Sequence, residues 1–208
     1  MHLRKLLTLA VLGAVLCPAS SSVSLPDLDV FAKSIRTLGG TVVDPAAYPN
    51  TLDGFQAFLT ASAVNAVTAL DLTRPNHPEV AARLGFQSFL PAQAWWPKGA
   101  ALALLVQRIE FQAQAAVRVR NWWRPSVYNA DPAVGGARNG DHPTADAVDL
   151  DYPTVGSRAR AELYLRTLQR LHPWMQLSLG LGALTTHVGI GSPRGHREWH
   201  YAGWRPAR

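Results

Sequence analysis

The hydrophobic period of the chain changes halfway along it, and that change decides the kind of fold it can adopt. In the first half apolar residues recur at helical spacing. LPDLDVFAKSIRTL reads as a helix that stops at Gly39 and Gly40. TLDGFQAFLTASAVNAVTALDL reads as a second, with Phe55, Phe58, Leu59 and Val64 near one side. PEVAARLGF, opened by Pro78, reads as a third, and GAALALLVQRIEFQAQA as a long helix buried over much of its surface. Then the period falls to two. In AVRVRNWW, Val117 and Val119 point one way and Arg118 and Arg120 the other. In ADAVDLD, Val148 and Leu150 share one face, and Ala147, Asp149 and Asp151 the other. One helix, GSRARAELYLRTLQRLHPW, interrupts, with Leu163, Leu165, Leu168 and Leu171 crowding one side. QLSLGLG, THVGIGS and REWHYAGW are further short strands. The order predicts an α+β fold: N-terminal helices followed by a small, mainly antiparallel sheet carrying a cleft.

The 208 residues suffice for one domain with a substantial core. Residues 23–110 are predicted as its helical region and 111–208 as its α+β core, in one continuous unit. Residues 1–22 read as a signal peptide. MHLRK is a basic head, LLTLAVLGAVL an apolar run and CPASSS a small-residue tail. The apolar run is too short for an ordinary transmembrane helix. Cleavage between Ala19 and Ser22 removes Cys17, the only cysteine. The mature chain then has no disulfide and must hold by its core, helped or not by a metal. These features predict an exported protein of the periplasm, the cell envelope or the medium, with no transmembrane span. The formal charge is +6, but the basic residues are scattered and no nucleic-acid motif accompanies them. Nucleic acid is therefore not an expected partner.

The stretch GGARNGDHPTADAVDLD carries the chemistry. If Val148 and Leu150 face the core, Asp149 faces away from it. A carboxylate there needs water, a cation or hydrogen bonds, because burying it alone is costly. His142 lies on the loop feeding that strand and can bend back towards it. In THVGIG, His187 opposes Val188 and Ile190 and can enter the same cleft. Two imidazoles and a carboxylate suit zinc, with a fourth position open to water. The plainer alternative pairs Asp149 with Arg118 or Arg120. The tryptophan pairs Trp95-Trp96 and Trp122-Trp123 read first as core.

HPTADAVD resembles the S-x-H-x-x-G-x-A-x-D signature of zinc D-Ala-D-Ala carboxypeptidases, the VanY-like family, which shares a fold with lysostaphin-type peptidases and the hedgehog signalling domain. RNWWRPSVYNADPAVGGARNGDH is similar to that family's lead-in, and LGLGALTTHVGIGSPRGHREWHY to its closing segment. The resemblance covers about the C-terminal half. It implies a zinc ion on His142, Asp149 and His187, with His200 as the alternative third ligand. It implies Arg124 as the substrate-binding residue, and a peptidoglycan peptide stem as substrate, most simply losing a terminal D-Ala.

The chain departs from the family in four places. Gly140 stands for the signature serine, Ala145 for its glycine, and Gly189 where the family often has Asp. The family's general base lies three residues before the third ligand. Here that is Leu184 before His187, or Arg197 before His200, and neither accepts a proton from water. Glu198 is the nearest carboxylate and takes the role of provisional base. A carboxylate of Glu198 or Asp146 beside the site would support an enzyme. Only Leu184 and Arg197 there would support a binding module on the same fold that has lost turnover.

Overall fold

The structure, a computed structural model, describes residues 25–137 and 139–206, so the expected signal peptide lies outside the described residues. Helices α1 (Leu25–Thr37), α2 (Leu52–Ala61), α3 (Ala69–Thr73), α4 (Pro78–Arg83) and α5 (Trp96–Ala113) come first. Strand β1 (Arg118–Asn121), a single turn α6 (Ser126–Asn129), β2 (Ala147–Asp151), α7 (Val155–Leu171), β3 (Ser178–Leu181), β4 (Thr185–Gly189) and β5 (Arg197–His200) follow. This is the expected α+β order. The sheet runs β1-β2-β4-β3-β5, antiparallel except that β3 and β5 lie parallel.

The first half of α5, through Val106, is apolar and buried nearly all round, which suits an interior helix, and from Gln107 onward one face is polar and reaches the surface. It packs against α1 and α7. Gly99 lets the sheet's end approach it: a Cβ there would lie 2.7 Å from the indole of buried Trp122. The core runs without a break from Phe31 on α1 to Ile190 just after β4, so it crosses residue 110. Trp96 and Trp122 are wholly buried and Trp95 and Trp123 partly so, as expected of core residues.

Two helical expectations need correction. The periodic stretch 51–72 is two helices. Ala63 takes a left-handed φ of 68°, and the chain restarts at a capping box in which Thr68 and Asp71 satisfy each other's backbone N–H groups. Between them, Gln107 of α5 accepts from the N–H groups of Asn65 and Ala66, at 2.8 and 3.2 Å. In α7, Leu165 and Leu168 are buried, but Leu163 and Leu171 are 69% and 62% exposed. Arg158 and Glu162 take part of the inner face instead. Arg158 donates to the carbonyls of Gly182 and Arg205, both at 2.7 Å, and Glu162 accepts from Trp204 Nε1 at 3.1 Å. The C-terminal segment is docked by these charged side chains, so the apolar stripe of α7 is narrower than its leucines suggest.

Candidate metal centre

Strand β2 buries Val148 and Leu150 and thereby turns Asp149 to the opposite face. Pairing with β4 sets Asp149 directly beside His187. The loop before β2 brings in His142. Ala145, at a left-handed φ of 61°, curls that loop so that its N–H reaches the His142 carbonyl at 3.0 Å. Trp122 Nε1 holds the Ala145 carbonyl at 3.0 Å. The backbone at Ala145 has the conformation that glycine adopts most easily. Gly136 is needed too, because a Cβ would collide with Asn129. Tyr128 and Asn129 are buried and brace the surrounding loops: the Tyr128 hydroxyl accepts from His77 N at 2.9 Å, and Asn129 Nδ2 donates to the Ala137 carbonyl at 2.8 Å.

Asp149 Oδ1 lies 3.1 Å from His142 Nε2 and 3.0 Å from His187 Nδ1. One donor atom from each residue falls within 4.8 Å of the other two, a set that can hold a metal ion. The second nitrogen of each ring is already assigned. His142 Nδ1 lies 2.6 Å from the Trp122 carbonyl, and only a protonated Nδ1 can bond there. Its Nε2 then offers a lone pair to the centre and has no hydrogen-bond partner of its own. An imidazole held in this tautomer, with its free nitrogen buried, is set for a cation. His187 Nε2 faces Asp141 Oδ2 at 3.4 Å. The residues present therefore fit a metal.

Electrostatics agree with the geometry. Burial lowers His142, against the pull of Asp149, and keeps it neutral. Burial works against the charged form of His187 as well, but hydrogen bonds to Asp141 and Asp149 outweigh it and raise the group. Burial alone would raise Asp149. His142, His187 and Arg124 together hold it well below the usual carboxylate range.

The motifs that mark the site in the sequence do not distinguish Asp141. It is wholly buried and accepts from Ser178 Oγ at 2.7 Å, Ser192 Oγ at 3.2 Å and Arg197 Nη2 at 2.8 Å. Burial pushes its carboxyl up, but the bonds from His187, Ser178 and Arg197 prevail and keep it ionised. It orients the His187 ring from behind. Its one sequence signal is adjacency to His142.

Other expected site residues lie elsewhere. Glu198 faces the helix side of β5, where Arg166 of α7 donates Nε and Nη2 to its carboxylate at 3.1 and 2.9 Å. It is not beside the centre, so its assignment as base is corrected. The cause is strand alternation: Trp199, its neighbour, takes the cleft face and lies 5.1 Å from the His187 ring. His200 shares the helix side with Glu198 and stacks on Trp204 at 3.8 Å, so it is not the third ligand. Arg124 does reach the cleft, but its Nη2 is bonded to Asp149 Oδ2, which leaves Oδ1 to the imidazoles. Arg118 and Arg120 pair with Asp151, not Asp149. Asp146 is bonded to Lys98 at 2.6 Å, and Leu184 is 40% exposed at the start of the β4 hairpin.

The centre opens into a cleft of about 470 Å³, whose walls include Arg194, Arg197, Trp199 and Tyr201. Gly180 makes room for Trp199, since a Cβ there would lie 2.5 Å from the indole. No family model, curated protein or solved structure matches this chain. No helix among the described residues is long and apolar enough to cross a membrane.

Proposed function

We propose that the protein is an exported zinc-dependent peptidase acting on peptidoglycan stem peptides, most simply as a D-Ala-D-Ala carboxypeptidase. The observation that carries this reading is the convergence of His142 Nε2 and His187 Nδ1 on Asp149 Oδ1, within 3.1 Å, in an open cleft. The ordered motifs that resemble the VanY-like family point the same way. Zinc held there supplies a Lewis acid for a scissile carbonyl and lowers the pKa of a water molecule. The chain's own residues do the rest. The Trp122 carbonyl and Asp141 keep the two imidazoles in register. Arg124 holds Asp149 by its other oxygen. Arg194, exposed at the cleft wall and bonded through Nη2 to the Asn139 carbonyl at 2.6 Å, keeps its other guanidinium donors for a peptide carboxylate, and Trp199 and Tyr201 offer aromatic faces to the stem.

A second reading, a binding module for wall peptides, is favoured by one observation. The carboxylates at the centre, Asp141 and Asp149, both have partners among the described residues, and neither is free to act as base. General-base assistance is worth about 10²–10⁴ in rate, so turnover on this reading is slow or absent.

The test is the zinc content of the purified mature protein, beside His142→Ala and Asp149→Ala, followed by mass spectrometry of digested muropeptides. The peptidase reading expects close to one zinc per chain, lost in both variants, and release of alanine. Zinc with no release, but with retention on wall peptides, would replace it by the binding module. No zinc in the wild type after reconstitution would sink both metal readings.

A further inference from the structure

Lys98 is the only cation in WPKGAALALLV, the apolar start of α5, and only 4% of it is exposed. Its Nζ leaves the helix to bond the Asp146 carboxylate at 2.6 Å and the Thr144 carbonyl at 2.9 Å. Both acceptors belong to the 141–146 loop that carries His142. Residue 146 is also the loop's fastening point: its N–H donates to the Asp141 carbonyl at 2.9 Å, and its carbonyl accepts from Ile190 N at 2.8 Å. One residue thus ties the loop of the first imidazole to the end of the strand carrying the second. An ion pair buried this deeply gains little stability over an apolar pair of the same volume. The surrounding helix is apolar enough to have supplied such a pair. Stability alone therefore does not account for Lys98 and Asp146.

We infer that the Lys98–Asp146 pair is a positioning device for the metal centre: from the N-terminal helical half it sets the path of the 141–146 loop, and so the aim of His142 at Asp149. This rests on reading His142, Asp149 and His187 as metal ligands, and not on peptidase activity. It gives the helical half a direct part in the site. Residues that orient ligands without touching the metal typically change its affinity about 10- to 100-fold when replaced. The pair carries no net charge. Removing both members leaves the long-range field at the centre nearly unchanged, so affinity lost by the double variant reports geometry.

The experiment is cobalt(II) binding to the full chain, for the wild type, Lys98→Met/Asp146→Leu and Asp146→Asn, with urea unfolding of each. Cobalt's visible absorption reports coordination geometry. The double variant is expected to stay folded, to bind cobalt about 10- to 100-fold more weakly and to show an altered band. A folded double variant with wild-type affinity and band overturns the inference. If it does not fold, Asp146→Asn decides: it keeps the side chain's shape but leaves Lys98 without its counter-charge, so the band, which follows coordination geometry, is read ahead of affinity, and an unchanged band overturns the inference. Failure of both to fold would make the pair a folding element and overturn it as a positioning device. A wild type that binds no cobalt removes the metal-site reading itself, a result distinct from all of these.

Discussion

Asp141 backs the His187 imidazole, its Oδ2 lying 3.4 Å from Nε2 while Asp149 meets the same ring at Nδ1. The buried carboxylate thus decides which nitrogen of His187 is left for a metal. Asp141→Asn is expected to weaken zinc binding about 10- to 100-fold, because a neutral amide holds the ring less firmly and raises its basicity less. Competition with a chromophoric chelator measures this. Unchanged affinity would mean that Asp141 serves only Arg197 and the two serines.

The raised pKa of His187 makes proton and metal rivals for one site. In chelator, a group raised in the folded state contributes stability that is full below its unfolded value of 6.5 and is lost as pH rises through the folded value. His142 is lowered, so its own titration falls below that window. Zinc affinity should run the opposite way and increase with pH across the same range, with protons released on binding. Urea midpoints against pH, with zinc and with chelator, should therefore diverge upward from 6.5. Parallel curves would exclude His187 as a ligand.

Ala145 is a non-glycine residue at a φ of 61°. Such a conformation costs about 1–2 kcal/mol, and glycine regains it at an unfolded-state entropy cost of roughly 0.5–1 kcal/mol. Ala145→Gly should be neutral or stabilising by up to about 1 kcal/mol and should keep metal binding. Ala145→Val, β-branched at positive φ and fully buried, should lose stability and metal together. Denaturant midpoints of the two variants provide the comparison.

Glu198 pairs with Arg166 on the helix side of the sheet, in a partly exposed position. Glu198→Gln should cost no more than about 1 kcal/mol of stability and leave zinc binding and any hydrolysis within roughly twofold. A loss of about 10²–10⁴ in rate would instead return Glu198 to the role of base. Steady-state hydrolysis of a stem peptide separates the two outcomes.

Much of the fold was legible because period is a local property. The switch from helical spacing to alternation at Val117 separates the helices from the sheet, and Val148 and Leu150, by taking the core, force Asp149 to the other face. His142 and His187 could be proposed for the same reason. Long periodic stretches misled where a local device intervened: the capping box at Thr68 splits one helix in two, and the docked C-terminal segment takes the inner face of α7 away from Leu163 and Leu171.

The amino-acid sequence by itself determined the α+β order, the outward turn of Asp149 and the residue types that can bind a metal. Only the tertiary structure decided which charges meet: Arg124 with Asp149, Asp141 with His187, Lys98 with Asp146 and Glu198 with Arg166. The reason is that alternation tells which residues share a face, but not which strand or helix lies across from it. In β5 a shift of one residue exchanges Glu198 for Trp199, and the register that settles it, Gly180 beside Trp199 and His187, is made by three strands distant in sequence.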